Sequence, residues 1–389
     1  MANFPSTLAL AVALSIGTIG LAGCAATAAS ASKTTTSKSI TPPSKSAERV
    51  TPMPSKALPK TLTRIAFGSC LSEKEDQSIW TTVAAENPDA FIFMGDNVYG
   101  DAYKSSPLFS DPTMPKMRSA YNELASSTPF ANFRAQVPVM PIWDDHDYGA
   151  NDGGADYLFK DQAKEIFLDA WAVPQNDVRR KRDGVYTSQI IGEAGKRVQI
   201  ILLDTRSFRT YLQATDKRNE PGKERYVPLE SGAGTMLGDA QWNWLQGELK
   251  KPADLRLLVS TIQVIADGHG WEAWRTMPAE REKLYTMIKE SGANDVVLLS
   301  GDRHAGAFYK REGVVPYTLN EFTSSSLNLP ASKWRAQSGE TRIEDGPYRT
   351  TTMQFDVNYG VMDIDWTARQ AKVRLVSPGN DTFIETVNF

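Results

Sequence analysis

Short apolar runs recur along the chain from about residue 63 onward, and most of them stop at a polar or charged side chain. The clearest run, residues 91–94, is followed by Gly95-Asp96-Asn97-Val98-Tyr99. Such a run is typical of a buried strand, and open α/β folds bind ligands at the carboxyl ends of their strands. We therefore expect Asp96 and Tyr99 at a strand end, although Gly-Asp-Asn on its own is also ordinary turn sequence.

The remaining runs predict an α/β fold. Similar apolar runs predict strands at residues 63–67, 137–143, 185–191, 198–203, 255–260 and 296–299. Apolar residues at helical spacing predict helices at residues 76–86, 117–124, 158–171, 239–249 and 278–289. Alternating stretches predict strands of a second sheet, packed against the first, at residues 315–321, 361–366 and 373–376. The polar, glycine-rich residues 207–237 predict a long loop near the site.

Several predicted strands deliver reactive or charged side chains at their carboxyl ends. These side chains are Cys70, Asp96 with Tyr99, Asp145 with His146, Arg206, and Asp302 with His304. If the strands lie side by side, the groups converge at one edge of a sheet, where neighbouring carboxylates raise one another's pKa. Metal ions would relieve this repulsion. A thiolate and a phenolate favour iron, whereas carboxylate oxygens suit calcium.

Each candidate also has a structural interpretation. A lone cysteine is commonly buried in a core, and a tyrosine or histidine at such a position packs or lies in a loop without any ligand. Arg206 is equally well explained by pairing with a neighbouring acid. Asp144 and Asp147 either bind a metal or hydrogen-bond a histidine. For three further residues the structural interpretation is favoured, with a surface loop expected for the last: Gln263, His269 and Asp101.

The first sixty residues differ from the rest. Residues 1–24 carry no charged side chain and end in Leu21-Ala22-Gly23-Cys24, which resembles a bacterial lipoprotein signal peptide although no Lys or Arg precedes the apolar segment. An ordinary secretory signal and an uncleaved anchor are the alternatives, and all three imply export. Residues 25–60 are rich in Ala, Ser, Thr, Pro and Lys and predict a disordered tether. Residues 61–389 are then expected to form one catalytic domain.

Composition narrows the picture further. The chain has 389 residues, 41% of them hydrophobic, which is enough for a substantial core. Its formal net charge of -3 gives no reason to expect a nucleic-acid groove. Only two cysteines occur, Cys24 and Cys70. If Cys24 carries a lipid, Cys70 has no partner for an internal disulfide, and a role as a ligand would explain it.

Five ordered motifs at the strand ends carry a family resemblance. They are Phe67-Gly68-Ser69-Cys70, Gly95-Asp96-Asn97-Val98-Tyr99, Trp143-Asp144-Asp145-His146-Asp147, Leu203-Asp204-Thr205-Arg206 and Ser300-Gly301-Asp302-Arg303-His304. These motifs resemble those of the metallophosphoesterases, and more specifically those of the alkaline phosphatase D (PhoD-like) family. The resemblance runs from about residue 63 to residue 366 and implies a four-layer αββα sandwich of two mixed sheets flanked by helices.

The resemblance also implies a ferric ion and calcium ions. Cys70 and Tyr99 would be iron ligands, Asp96 would bridge two ions, and His304 would complete the iron site. The usual Asp-x-His motif of metallophosphoesterases is replaced here by Ser69-Cys70.

The same resemblance assigns the remaining candidates. Asp145 and Asp302 would hold the second cation, and His146 would be the acid that protonates the leaving alkoxide. Arg206 is expected to bind a phosphate oxygen if it is not paired with an acid. The middle metal-binding histidine of the family has no obvious counterpart, since Gln263 stands at a comparable strand end and His269 follows six residues later.

We therefore expect an exported phosphatase or phosphodiesterase, held in the bacterial cell envelope by a lipid on Cys24, that hydrolyses small phosphate mono- or diesters through metal-activated water. A phospholipase-like or nucleotide-directed phosphodiesterase is the alternative within this class. A non-catalytic lipoprotein that binds metal or phosphate is the alternative outside it. The sequence leaves open the preference for monoester or diester and the oligomeric state.

Overall fold

The structure, a computed structural model, describes residues 48–230, 232–344, 346–378 and 382–389. The predicted signal peptide, the predicted tether up to residue 47 and Cys24 lie outside these residues. Within the described residues, none of the helices has the length and apolar character needed to cross a membrane.

Strands and helices alternate through most of the described chain. The strands are β1 (Arg64–Gly68), β2 (Ala90–Met94), β3 (Val139–Ile142), β4 (Thr187–Ile191), β5 (Val198–Leu202), β6 (Leu255–Val259), β7 (Val296–Ser300), β8 (Ala307–Arg311), β9 (Leu319–Thr323), β10 (Tyr359–Asp365), β11 (Gln370–Val376) and β12 (Phe383–Asn388). The helices are α1 (Ile79–Ala85), α2 (Pro115–Ser126), α3 (Thr128–Gln136), α4 (Asp145–Tyr148), α5 (Lys160–Ala170), α6 (Gly238–Leu249), α7 (Pro278–Ser291) and α8 (Ala331–Ser338).

The strands form two mixed sheets. The first sheet has the order β12-β11-β10-β1-β2-β3, with β1, β2 and β3 parallel and the C-terminal strands antiparallel. The second has the order β4-β5-β6-β7-β9-β8, with a parallel centre and antiparallel strands at both edges. Two mixed sheets flanked by helices confirm the predicted fold class.

The allocation of strands to sheets differs from the prediction. The C-terminal strands were expected to form the second sheet, but β10 pairs with β1, through Ile65 opposite Met362, and so extends the first sheet. The second sheet is built from the middle of the chain. The strands that carry the candidate side chains therefore do not lie side by side in one sheet. Antiparallel hairpins need only short connections, so the last three strands can add to the free edge of β1 as a meander.

Alternation along the strands explains the layers. In β5, Ile200 and Leu202 belong to the core that includes strand residues of both sheets, whereas Ile201 belongs to a second core with Leu245 of α6 and Leu284 of α7. Successive side chains of a strand point to opposite faces. The second sheet is therefore covered by the first sheet on one face and by helices on the other.

Aromatic packing covers the outer face of the first sheet. Trp80 of α1 is fully buried and lies edge-on to Phe91 and Phe93 of β2, with ring centroids 5.3 and 5.6 Å apart. Phe130 and Phe133 of α3 complete this cluster. Helix α3 is absent from the sequence-based predictions, because its nine residues include a proline and show little helical periodicity.

The folded body begins N-terminal to the predicted boundary at residue 61. Met53 is buried, and its backbone N–H donates a hydrogen bond of 2.7 Å to the carbonyl of Ala170. Val50 is buried as well. Residues 48–60 contain no helix or strand but lie against the folded body, so this part of the predicted tether is not free.

Candidate metal centre and active site

The candidate side chains meet where the carboxyl ends of the two sheets come together. Cys70 follows β1, Asp96 follows β2, and Asp302 follows β7 of the other sheet. The Sγ atom of Cys70 lies 3.1 Å from Oγ of Ser325, which follows β9. The predicted convergence therefore occurs, but across the junction of two sheets instead of along the edge of one.

Sharp turns after the strands aim these side chains into the junction. Four candidate residues have left-handed backbone, with φ of 55° at Cys70, 49° at Asp96, 67° at Asp302 and 50° at His304. Such conformations cost residues other than glycine about 1 to 3 kcal/mol each and cluster at functional sites. At Gly95, φ is 90° and a Cβ atom would stand 2.4 Å from Cβ of Asp144, so only glycine fits.

The first cluster contains a thiol, a carboxylate, a phenol and an imidazole. The Oδ2 atom of Asp96 lies 3.2 Å from Sγ of Cys70 and 3.3 Å from Oη of Tyr99. The same phenol oxygen lies 3.3 Å from Nε2 of His304. The His304 Nδ1 atom is 2.6 Å from the carbonyl of Leu329, to which it donates. Its Nε2 atom is thereby left with a lone pair directed toward the cluster.

Carboxylates extend this cluster into a second one. Ligand-type atoms of Asp144, Asp145 and Asp302 lie within 4.8 Å of one another, as do those of Asp96, Asp145 and His146. Asp96 belongs to both the thiol-containing and the carboxylate-containing groups. This is the position that a bridging ligand requires.

The donor set fits bound cations. Among the described residues, no hydrogen-bond partner reaches three buried carboxylate oxygens: Oδ1 of Asp96, Oδ2 of Asp144 and Oδ1 of Asp145. Burial raises the pKa of the Cys70 thiol to about 11, and it raises the pKa values of Asp96, Tyr99 and Asp302. The hydrogen bonds that Cys70 receives do not offset its burial, and a nearby positive charge would favour the ionised forms of all four groups. Thiolate, phenolate and imidazole donors suit a transition metal, and the carboxylates suit a hard cation.

His146 lies beside the carboxylate cluster and is held by a residue that was expected in a surface loop. Its Nδ1 atom is 2.8 Å from Oδ1 of Asp101, whose residue is only 8% exposed. The surface-loop expectation for Asp101 is therefore wrong. Burial alone would lower the pKa of His146, but Asp145, Asp96 and Asp101 outweigh it and raise the pKa. Because Nδ1 donates to Asp101, Nε2 is the ring nitrogen available to a substrate.

Arg206 does not reach the cleft, and the structure shows the alternative in which it pairs with acids. Its side chain is fully buried, with Nε 2.6 Å from Oδ1 of Asp144 and Nη1 2.6 Å from Oε2 of Glu272. The carboxylate of Asp204 accepts the backbone N–H groups of Arg206 and Ser207 and so fixes the turn that directs Arg206 inward. The expected contact of Arg206 with a phosphate oxygen is incompatible with this burial.

Asp144 and Asp147 hold the turn after β3. Asp144 accepts hydrogen bonds from Arg206 and from Oγ1 of Thr261, which leaves one oxygen for a cation. Asp147 accepts the backbone N–H groups of Asp144 and Asn97 and so joins the turns that follow β3 and β2.

Gln263 and His269 satisfy each other. The Oε1 atom of Gln263 is 3.0 Å from Nε2 of His269. The Nε2 atom of Gln263 donates to Oγ1 of Thr323. The Nδ1 atom of His269 accepts the backbone N–H of Trp271. With both ring nitrogens engaged, His269 has no free lone pair for a metal.

Two further acids at the site were not found from the sequence. Ligand-type atoms of Asp152 and Glu272 lie within 4.8 Å of those of Asp145. The only cue for Asp152 is its glycine-rich setting, Asn151-Asp152-Gly153-Gly154, which indicates a turn. Glu272 follows no recognisable motif. Both acids line a cleft of about 420 Å³ together with Asp145, His146, Asp302 and His304.

The fold and the site together define a class: α/β proteins of two stacked sheets with a candidate metal centre at their carboxyl ends. The profile of the PhoD-like phosphatase family matches residues 65–375, and the chain belongs to this family. The chain is 25% identical over 279 residues to alkaline phosphatase D of Bacillus subtilis (strain 168). That match covers 62% of this chain and 45% of the relative, so the chain spans less than half of the relative's length.

A solved structure supports the fold. The match to the structure of PhoD has a TM-score of 0.63 at 19% sequence identity. It covers 84% of this chain and 68% of the solved chain. The predicted membership of the alkaline phosphatase D (PhoD-like) family is confirmed.

The buried pairing of Arg206 makes a stability prediction. Arg206→Met leaves Asp144 buried without its cation and Glu272 with Arg209 alone, so we expect the free energy of unfolding to fall by about 3 to 5 kcal/mol. Urea denaturation monitored by circular dichroism measures this loss. Lys217→Met is the matched control, because Lys217 pairs with Glu220 at the surface and should contribute less than about 1 kcal/mol. Equal losses in the two variants would contradict a structural role for Arg206.

Proposed function

We propose that this protein is a metal-dependent phosphoric ester hydrolase whose active site is the cleft at the junction of the two sheets. The observation that carries the proposal is the joint placement of Cys70, Asp96, Tyr99 and His304 beside the carboxylate cluster, with His146 at its edge. Membership of the PhoD-like phosphatase family supports the same activity. Small phosphate mono- or diesters are the proposed substrates.

Two cation sites follow from the donors. Cys70, Tyr99 and His304 would hold a ferric ion, Asp145 and Asp302 would hold calcium, and Asp96 would bridge them. Asp144 offers its remaining oxygen to the calcium side. Cations at these positions would supply the positive charge that activates water and stabilises a phosphoryl group during in-line displacement.

His146 is the proposed general acid. The hydrogen bond from Nδ1 to Asp101 fixes the ring orientation. In the imidazolium form, which the raised pKa of His146 favours, Nε2 also carries a proton, and the ring lines the cleft. Stacking against Tyr99, at 4.2 Å between ring centroids, limits rotation of the imidazole. A proton held at this atom can pass to the leaving alkoxide oxygen as its bond to phosphorus breaks.

The acid role predicts a dependence on the leaving group. His146→Ala should lower kcat for an alkyl ester such as glycerol phosphate by about 100- to 10,000-fold. The loss for p-nitrophenyl phosphate should be much smaller, because nitrophenolate leaves readily without a proton. Steady-state kinetics at matched metal content measures both losses. Equal losses on the two esters would contradict the acid role. Asp101→Asn should also lower kcat more for glycerol phosphate than for p-nitrophenyl phosphate, but by a smaller factor than His146→Ala.

Turnover by the wild-type protein separates an enzyme from the binding alternative. Metal-loaded protein that binds phosphate but hydrolyses neither nitrophenyl monoester nor diester would identify a non-catalytic binding protein. A strong preference for nucleotide or phospholipid diesters over both nitrophenyl esters would favour the more specialised phosphodiesterase.

The ferric site predicts a visible absorption band. Tyrosinate bound to ferric iron should give a charge-transfer band, which Tyr99→Phe should abolish while part of the iron is retained. Absorption spectroscopy together with metal analysis measures both quantities. The control is Tyr103→Phe, since Tyr103 is 81% exposed and should leave the band unchanged. A colourless, iron-free protein with full activity would overturn the proposed roles of Cys70 and Tyr99.

We also propose export and attachment to the cell envelope through a lipid on Cys24, a proposal supported only by the sequence of residues 1–24. Cys24→Ser should abolish labelling by radioactive palmitate and move the protein from the membrane fraction to the soluble fraction. Cys70→Ser is the matched control and should retain the label. A wild-type protein without label would contradict lipidation.

A further inference from the structure

The wall of the cleft beside His304 is formed by α8. The backbone N–H of Ala331, the first residue of α8, donates a hydrogen bond of 2.9 Å to the carbonyl of His304. His304 Nδ1 in turn donates to the carbonyl of Leu329, just before the helix. The start of α8 is thus fixed to a proposed metal ligand, and its side chains occupy defined positions in the cleft.

Trp334 presents an aromatic surface next to this ligand. Its ring lies edge-to-face against His304, with centroids 4.9 Å apart and an interplanar angle of 77°. The side chain lines the cleft and is nevertheless 42% exposed. An exposed indole beside a reactive centre offers a face on which a planar group can stack.

The arginines of the cleft differ in their partners. Three of them pair with carboxylates: Arg225 with Asp152, Arg303 with Glu344, and Arg342 with Glu224. Arg335 forms no ion pair with a carboxylate in the part of the chain that the structure describes.

The surroundings of Arg335 hold its guanidinium in place without neutralising it. The group lies 3.9 Å from the ring centroid of Phe355, and Nη2 donates to the carbonyl of Arg342. The remaining acid of this wall, Glu340, accepts the backbone N–H of Arg342. A guanidinium has five N–H donors and forms strong hydrogen bonds with anions. Arg335 therefore retains donors for an anionic group in the cleft.

We propose that Trp334 and Arg335 form a leaving-group subsite for phosphate esters whose leaving group contains a planar ring and a second anionic group, as in a nucleoside bisphosphate. The proposal rests on the function proposed above and specifies its substrate class. A substrate bound by its reacting phosphate at the metal-ligand cluster would place its planar group on Trp334. Its second anionic group would then contact Arg335.

Arg335→Gln tests the anionic part of the subsite. The variant should lose about 10- to 100-fold in kcat/KM for adenosine 3′,5′-bisphosphate, the loss expected when one charge-assisted contact is removed. The loss for adenosine 3′- and 5′-monophosphates should be at least tenfold smaller. The initial rate of release of the first phosphate gives kcat/KM for the bisphosphate and for both monophosphates. Arg311→Gln is the matched control, because Arg311 also lies over an aromatic ring, that of Tyr348, but does not line the cleft.

Equal losses on the bisphosphate and the monophosphates would overturn the assignment of Arg335. So would a wild-type protein that hydrolyses nitrophenyl esters but does not favour the bisphosphate over the monophosphates. If no ester is hydrolysed, the proposed function fails, and calorimetry with adenosine 3′,5′-bisphosphate on metal-loaded protein decides the subsite. Weaker binding by Arg335→Gln than by wild type supports the subsite, and equal binding overturns it.

Trp334→Leu tests whether the planar ring of the substrate stacks on the indole. The test compares substrates with and without a ring, because a purely structural role of Trp334 would affect both equally. Stacking predicts a greater loss of kcat/KM for the adenosine phosphates, about 5- to 100-fold, than for glycerol phosphate, which has no ring. A role of Trp334 in holding His304 would instead lower activity on both kinds of ester by the same factor, and that outcome would overturn the stacking role.

Discussion

Repulsion among buried acidic side chains is the constraint on which the centre of this structure depends. Asp96, Asp144 and Asp145 are buried at the junction of the two sheets beside the half-buried Asp302, and little water screens their charges there. Protein groups offset part of this repulsion. Despite burial, the pKa of Asp145 is lowered because His146 and Arg206 stabilise its ionised form. The pKa values of Asp96 and Asp302 remain raised, and bound cations would offset what the protein groups do not.

One of the ion pairs that offset this repulsion also joins the two sheets. Asp144 follows β3 of the first sheet, and Arg206 follows β5 of the second. Their contact of 2.6 Å, together with that of Arg206 and Glu272, fixes one sheet end against the other. A displacement of either sheet would separate a buried ion pair, which is costly. The relative position of the metal-ligand groups is therefore maintained by the same charges that make cations necessary.

The sequence predicted most strands, the two-sheet class and the residues at the strand ends, because these depend on local patterns. A buried run followed by a glycine and a carboxylate specifies both a strand and the chemistry at its end, as at Gly95-Asp96. The sequence did not predict which sheet each C-terminal strand joins. The apolar and polar residues of β10 predict a strand but do not specify which strand pairs with it, and only the register with β1 decides that.

The sequence also did not predict the roles of side chains whose partners lie far away along the chain. Asp101 lies 45 residues before His146, and nothing in its immediate neighbours indicates that the two groups meet. Glu272 became recognisable only in the fold, through its contacts with Arg206 and Arg209 and its proximity to Asp145. For Arg206 the sequence left two interpretations equally open, and burial, a property of the assembled fold, separated them.

Arg206 and Arg335 differ in where they lie, and this position decides whether an arginine can bind a substrate anion more than its presence in a motif does. Arg206 stands in one of the five family-like motifs, yet its charge is used by Asp144 and Glu272 inside the protein. Arg335 belongs to none of those motifs and lies in the wall of the cleft. An arginine that neutralises buried acids cannot also attract an external anion without exposing them. Recognition of a substrate beyond its reacting phosphate therefore falls to cations whose carboxylate partners are absent, and in the described part of the cleft Arg335 has this property.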